Sequence, residues 1–396
     1  MSALFFLCVL TIAFFLLSIN LWAPLRCRIA KVNFFSFLCG FTLGGLPWHF
    51  VVVEIAVVAF LSCFVAKENP WVHACWGLGG VSLLLIILHV LQGRRFYHQI
   101  GEQNGSTEVD EGALDLGFWQ KMRPLIGSVN GVKRVCDIPF RHIDGQELCL
   151  DIYRPEHTSG KTPVLLYIHG GAWIMGYRKY QGLPLLFHLA ARGWTVVSVD
   201  YRLSPRATFP EHLEDVRAAQ AWLEEHALEY GLDLDRVVVA GTSAGAHLAA
   251  LLAFESRSRV AQGLLRAHVK GALLFAGIYD VRADASYWHH DVIKKIWARY
   301  VLKKTQQQAA SAYIDASPIQ QVSSGVPPVL LVHGSHDNLV PAAESKVLLQ
   351  EINRVAPGKA TYVEVPAAQH SFEYFYSLHT RAVLQAVDVF MQRVAL

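Results

Sequence analysis

"VVVAGTSAGAHLAALLA", residues 237–253, is the stretch whose reading decides the fold. Val237 to Ala240 form a short apolar run of the kind a buried strand needs, and the alanine-rich run from Ala244 has helical character. Between them lies Gly-Thr-Ser-Ala-Gly, residues 241–245. In a strand–turn–helix, Gly241 and Gly245 allow a tight turn and keep side chains away from Ser243. The serine hydroxyl then stands at the carboxyl end of a sheet, over a helix N-terminus. A serine hydroxyl alone is a weak nucleophile. It needs a base within hydrogen-bond reach and an acid to orient that base. The five-residue pattern by itself arises in about one chain in ten of this length from average residue usage, so the rest of the chain has to supply the partners.

Working outward, eight β-rich runs are expected: "KRVCDIPF", "ELCLDIY", "PVLLYIHG", "TVVSVDY", "RVVVAG", "GALLFAG", "PVLLVHG" and "TYVEVP". The first two read as a hairpin around Asp144-Gly145. The later ones are nearly continuous apolar runs, as strands covered on both faces must be. Helical spacing appears in "YQGLPLLFHLAARG", "EHLEDVRAAQAWLEEHALEYG", "SAGAHLAALLAFES", "AAESKVLLQEINRV" and a C-terminal "FEYFYSLHTRAVLQAVDVFMQRV". Strand–helix alternation predicts an α/β fold with a mostly parallel sheet and right-handed crossovers.

Two residues complete the chemistry that Ser243 begins. Asp337 follows the seventh strand in "PVLLVHGSHDNLVP", and His370 follows the eighth in "TYVEVPAAQHSFE". The chain order Ser243, Asp337, His370 is the order such a sheet requires of nucleophile, acid and base. A developing oxyanion needs donors. "YIHGGAWIMG" follows the third strand, and its Gly170, Gly171 and Ala172, with Ala244 after the serine, are the expected oxyanion hole, with Gly171, Ala172 and Ala244 as the donors. His169 and His247 read as structural. No spacing predicts a metal site and no loop predicts a dinucleotide, so no cofactor is expected.

Taken together, "HGGAW", "DYRLSPRATFPEHLEDV", "GTSAGAHLAA", "HGSHDNLVP" and "QHSFE" resemble the α/β-hydrolase superfamily, specifically its hormone-sensitive-lipase-like and isoprenylcysteine-methylesterase-like carboxylesterases. The resemblance covers roughly residues 132–396. It implies ester hydrolysis through an acyl-enzyme, and it implies that the insertion around "SYWHHDVIKKIWARY" helps cover the pocket. One departure is visible: many relatives carry a third glycine where Ala172 stands.

The first 93 residues are of another kind. Apolar residues make up 53% of the chain and mean hydropathy is +0.29, an excess concentrated at the N-terminus. Residues 2–22 and 71–91 carry no Asp, Glu, Lys or Arg, and residues 32–66 carry only Glu54. A span needs ~20 apolar residues. Gly44, Gly45 and Pro47 break the middle stretch, so "NFFSFLCGF" reads as an interfacial or re-entrant lead-in and 46–66 as a span. Arg26, Arg28 and Lys31 follow the first span; Arg94 and Arg95 follow the third. Three spans put both clusters on one side, expected to be cytoplasmic. "FFSFLCGFTLGGLPWHF" resembles the N-terminal region of mycobacterial-type membrane carboxylesterases. Residues 94–131 read as a linker, with "FWQKMRPLI" over membrane or pocket, and 132–396 as the catalytic domain.

Cys136 is expected opposite residue 153, and a disulfide with Cys149 is not expected. The net charge of +3 gives no nucleic-acid footprint. The expected partners are a small-molecule or lipid ester and the bilayer. An acyltransferase on the same triad, or a silent membrane scaffold, are the competing classes.

Overall fold

The computed structural model describes residues 3–103, 128–158, 160–264 and 268–395. All eight expected strands form, as β1 (Val132–Ile143), β2 (Gln146–Pro155), β3 (Thr162–Ile168), β4 (Thr195–Val199), β5 (Leu232–Thr242), β6 (Val269–Phe275), β7 (Val329–Gly334) and β8 (Ala360–Val365). They make one sheet in the order β1-β2-β4-β3-β5-β6-β7-β8. β4, β3, β5, β6 and β7 run parallel, and β2 runs antiparallel to β1 and β4. All five residues of β4 and all six of β7 are buried, which is why these strands lack an apolar–polar alternation. β1 has no buried residue and forms one edge.

The β1–β2 turn is Asp144-Gly145, with φ of 51° and 69°, as a two-residue hairpin of this sequence requires. The register differs from expectation in one place. Val135 pairs with Ile152 and Ile138 with Leu150, so Cys136 falls in a bulge rather than opposite Tyr153, whose partner is Arg134. The bulge forms because the Asp137 N–H bonds the buried Asp151 carboxylate at 3.0 Å, and Asp137 itself takes φ 61°. All seven cysteines are free.

Four N-terminal helices precede the sheet: α1 (Ala3–Trp22), α2 (Ala30–Gly45), α3 (Pro47–Ser62) and α4 (Pro70–Gln103). α1 and α4 are long and apolar enough to cross a membrane, and the α2–α3 pair, bent by 94°, is a third candidate. Leu7 packs with Val72 and Cys75, and Leu21 with Ile86, so α1 and α4 run in the same direction. α3 runs against them, with Phe50 near Leu21 and Leu61 near Leu7. Glu54, the one charge in the middle stretch, is buried and accepts a 2.9 Å bond from the Ser82 hydroxyl. α4 runs ten residues past the expected end of the membrane segment, so 94–103 are helix rather than linker. Residues 104–127, including "FWQKMRPLI", lie outside the described residues.

After the hairpin come α5 (Leu183–Ala190), α6 (Glu211–Glu225), α7 (Ala244–Ala261), α8 (Ala343–Val355) and α9 (Leu378–Ala395). The C-terminal helix starts six residues later than its sequence suggests. Phe372–Tyr374 form a single 3-10 turn, and Thr380 Oγ1 donates to the Phe375 carbonyl at 2.7 Å.

The chain divides into two compact units. One holds the sheet and most of its helices. The other joins the N-terminal helices to two loops, Gly334–Leu339 after β7 and Val365–Val383 after β8. The expected division at residue 132 does not anticipate this: the loops that carry Asp337 and His370 group with the N-terminal helices.

Candidate active site

In the sheet unit, β5 delivers Ser243 to the turn before α7. Its φ of 56° and ψ of −119° lie outside the regions an L-residue prefers, a strain of about 1–3 kcal/mol that the surroundings must hold. Both glycines of the turn are obligatory. A Cβ on Gly241 would sit 2.4 Å from the Gly245 backbone, and one on Gly245 would sit 2.1 Å from the Ile168 carbonyl oxygen. The Ser243 N–H bonds the Phe275 carbonyl at 2.8 Å, tying the turn to β6.

The "HGGAW" loop lies against that turn. A Cβ on Gly170 would be 2.7 Å from the Thr242 carbonyl oxygen and 3.3 Å from Ser243 Cβ. Gly170, expected in the hole but not among its donors, gives its N–H to Gln181 Oε1 at 2.7 Å. Among the described residues the N–H groups of Gly171, Ala172 and Ala244 have no acceptor. Ala244 opens α7, where an unsatisfied N–H is inherent to the helix. Gly171 needs φ 126°, and a Cβ there would collide with the Met175 carbonyl at 1.9 Å. Ala172 takes φ 52°, at a cost of roughly 1–2 kcal/mol that glycine would not incur.

The other histidines near the turn are spent. The Trp173 indole donates to His247 Nδ1 at 3.2 Å, and His247 Nε2 donates to the Ala316 carbonyl at 2.7 Å. His169 stacks on Tyr201 with ring centroids 4.4 Å apart. Burial pushes both imidazoles down to about 4, so they are neutral near pH 7. Asp280, the other acid near a strand end, makes a two-oxygen pair with Arg282 at 2.6–2.7 Å.

In the other unit, His370 Nδ1 and Asp337 Oδ2 are 2.6 Å apart, both side chains buried. The second Asp337 oxygen accepts the Leu339 N–H at 2.8 Å. The two loops are joined next to this pair, because the Asn338 N–H donates to Gln369 Oε1 at 3.2 Å. Burial works against a charged His370, but the Asp337 carboxylate, its hydrogen bond and the charge of Glu373 outweigh it, so the pKa lies above 6.5. Sequence reasoning missed Gln181, Asn338 and Gln369. The last two stand beside the acid and the base in the chain, which was the available signal. Among the described residues no group of three or more His, Cys, Asp or Glu could hold a metal.

A strained serine between a parallel strand and a helix, backed by a glycine loop with unspent N–H groups, defines the α/β-hydrolase class. Residues 150–352, over half of the chain, match the BD-FAE family. The chain is 36% identical over 252 residues to "Probable carboxylic ester hydrolase LipM" of Mycobacterium tuberculosis, covering 62% of this chain and 58% of that one. It is 30% identical over 295 residues to "Esterase LipC" of the same organism, covering 73% of each. Among solved structures it resembles the hyperthermophilic esterase from Pyrobaculum calidifontis, with TM-score 0.54 and 25% identity over 68% of this chain and 88% of that one. The chain belongs to the α/β-hydrolase carboxylesterase family. It spans about 60% of the length of the first curated relatives it matches.

Proposed function

We propose that the protein is a membrane-anchored serine carboxylic-ester hydrolase. The observation that carries this reading is the buried Asp337–His370 pair, 2.6 Å apart, on loops that follow β7 and β8, downstream of the strained Ser243 turn after β5. In the proposed reaction Ser243 Oγ attacks the ester carbonyl carbon while His370 Nε2 takes its proton. Asp337 holds the imidazole through Nδ1–H and stabilises its cation. The tetrahedral oxyanion rests on the N–H groups of Gly171, Ala172 and Ala244. His370 then protonates the leaving alcohol as the C–O bond breaks. Water, deprotonated by His370, releases the carboxylate from the acyl-enzyme.

A base works only when neutral, and the His370 pKa is raised. The rate therefore falls as pH drops through a value above 6.5. We expect the acid limb of kcat/KM, measured from pH 5 to 9 on a short soluble ester, to lie above that ordinary histidine value. A limb below 6.5 contradicts the pairing.

The esterase names of the relatives support hydrolysis over a silent scaffold. An acyltransferase would use the same residues with an alcohol or amine in place of water. Product analysis with and without an added acceptor alcohol decides between them: carboxylate is expected as the main product in both, and dominant transfer overturns the hydrolase reading. Activity across an acyl-chain-length series defines the ester class, with apolar esters of moderate to long chain expected to be preferred.

The anchor is read as three spans, α1, α3 and α4. Helices α2 and α3 meet at 94°, so both cannot stand along the membrane normal, which disfavours four spans. Arg26, Arg28, Lys31, Arg94 and Arg95 then share one side, the cytoplasmic side of the inner membrane by the positive-inside rule. A reporter fused after residue 103 is expected to be active only in the cytoplasm. Activity only outside overturns the topology.

A further inference from the structure

We propose that helix α2 belongs to the catalytic apparatus: Ser36 on α2, acting through Asn338 and Gln369, positions the acid and base loops. This rests on the Ser243–His370–Asp337 reading above. Its basis is the set of bonds around Asp337. Both residues that flank the acid are held by the N-terminal segment. His336 Nδ1–H donates to the Leu21 carbonyl at 2.8 Å, at the end of α1. Asn338 Nδ2 donates to the Ser36 hydroxyl at 2.8 Å and to the Leu25 carbonyl at 3.1 Å. Arg26 adds bonds to the Ser335 carbonyl at 2.8 Å and to Asn338 Oδ1 at 3.3 Å.

Ser36 is itself held. Its hydroxyl donates to Asn20 Oδ1 at 2.6 Å, and Asn20 Nδ2 donates to the Ser36 carbonyl at 2.8 Å. Asn20, Ser36 and Asn338 are all buried. A polar chain inside an apolar helix bundle is expensive unless every member is paired. Here the pairing runs from α1 through α2 to the acid loop. It then continues to the base loop, because the Asn338 N–H bonds Gln369, the residue before His370. α2 meets the base loop as well. A Cβ on Gly40 would lie 2.9 Å from Gln369 Cγ, and one on Gly45 would lie inside the Phe375 ring. The Phe37 ring lies 6.2 Å from the His370 ring. Two loops from different strands are thus set against each other by one helix, through the buried face that carries Ser36 and Gly40 and through Gly45 at its C-terminal end.

The chemistry needs this. Hydrogen-bond alignment between acid and base is a matter of tenths of an ångström, and a displacement of ~1 Å costs about 10²-fold in rate. Loops by themselves are the least rigid parts of a fold. A helix buried against both supplies the rigidity. Were the N-terminal helices a tether only, a chain starting near residue 112 would keep its rate on short soluble esters. The network gives the opposite expectation, since that chain would lose the Ser36 and Leu25 partners of Asn338 and the Leu21 partner of His336.

The test uses the full-length protein and an isosteric pair. Val and Thr fill the same space, but only Thr keeps a hydroxyl. Ser36→Val is expected to lower kcat on a short soluble ester by about 10–100-fold with KM within threefold. Its acid limb in kcat/KM should move to lower pH, because a misaligned Asp337 supports the imidazolium less. Glu373, whose charge also acts on His370, and Arg26, which bonds Asn338, are unchanged in this comparison. Ser36→Thr should stay within threefold of the parent and keep the limb. Phe35→Ala, on the exposed side of α2, should match the parent and controls for insertion. If Ser36→Val does not accumulate, Ser36→Ala takes its place. A parent-like kcat and limb in the variant lacking the hydroxyl overturns the proposal. So does equal loss in Val and Thr with an unmoved limb, which marks plain crowding. Full activity in Asp337→Asn would sink the triad reading instead, whatever Ser36 does.

Discussion

Ser243→Ala is expected to abolish ester hydrolysis, with kcat down by about six orders of magnitude, the size of loss seen when a nucleophile acting as part of a unit is removed. The Oγ is the only atom deleted, and the turn that presents it is set by backbone groups: the Ser243 N–H on the Phe275 carbonyl and the close approaches at Gly241 and Gly245. The fold should therefore survive, with an unchanged thermal transition. A companion variant sharpens the argument. Ser243 is held at φ 56° and ψ −119°, a conformation that glycine enters freely. Ser243→Gly should be just as inactive, yet as stable as the parent or more so by about 1 kcal/mol, since it removes strain while loosening the unfolded chain. Calorimetry beside an ester assay gives both numbers. More than a few per cent of activity in Ser243→Ala shows that another residue is the nucleophile. A clearly less stable Ser243→Gly shows that the turn is not strained.

Asp337→Asn carries the second largest expected effect, about 10⁴ in kcat. The substitution preserves size and the backbone bond from Leu339. What changes is the group that faces His370 Nδ1. A carboxylate accepts the Nδ1–H at 2.6 Å; an amide NH₂ turned toward it repels that tautomer, and Nε2 is then protonated when it should accept the serine proton. The imidazolium also loses its counter-charge. The acid limb of the pH profile should drop toward or below the ordinary histidine range in whatever activity remains. Asp280→Asn is the matched comparison. Its carboxylate is committed to Arg282 and is partly exposed, so the loss is of a pair worth ~0–1 kcal/mol, and turnover should stay within severalfold of the parent. Equal loss in both variants, or the larger loss at Asp280, would move the role of acid away from Asp337.

By itself the sequence determined the strand order in the chain and the turn around Ser243, and it pointed to Asp337 and His370, the two residues proposed to complete the chemistry. The reason is local. A strand buried on both faces needs a continuous apolar run, as in "PVLLVHG". A turn that brings Gly245 to 2.1 Å from a carbonyl admits only glycine. Acid and base belong after strand ends that composition already marks. The break at Gly44–Pro47 and the charge clusters at residues 26–31 and 94–95 were legible for the same reason, because chain stiffness and charge act over a few residues.

What only the tertiary structure decided depends on groups far apart in the chain. Gly170 reads as part of the glycine loop, and only the fold shows that its N–H is given to Gln181. Cys136 leaves its expected register because the buried Asp151 carboxylate draws the Asp137 N–H and bulges the strand. Asn338 looks like a turn residue beside an acid. Its partners are Ser36, more than 300 residues earlier, and Leu25. No local pattern records such a bond. A polar side chain in an apolar segment signals that a partner exists, and only the folded chain names it.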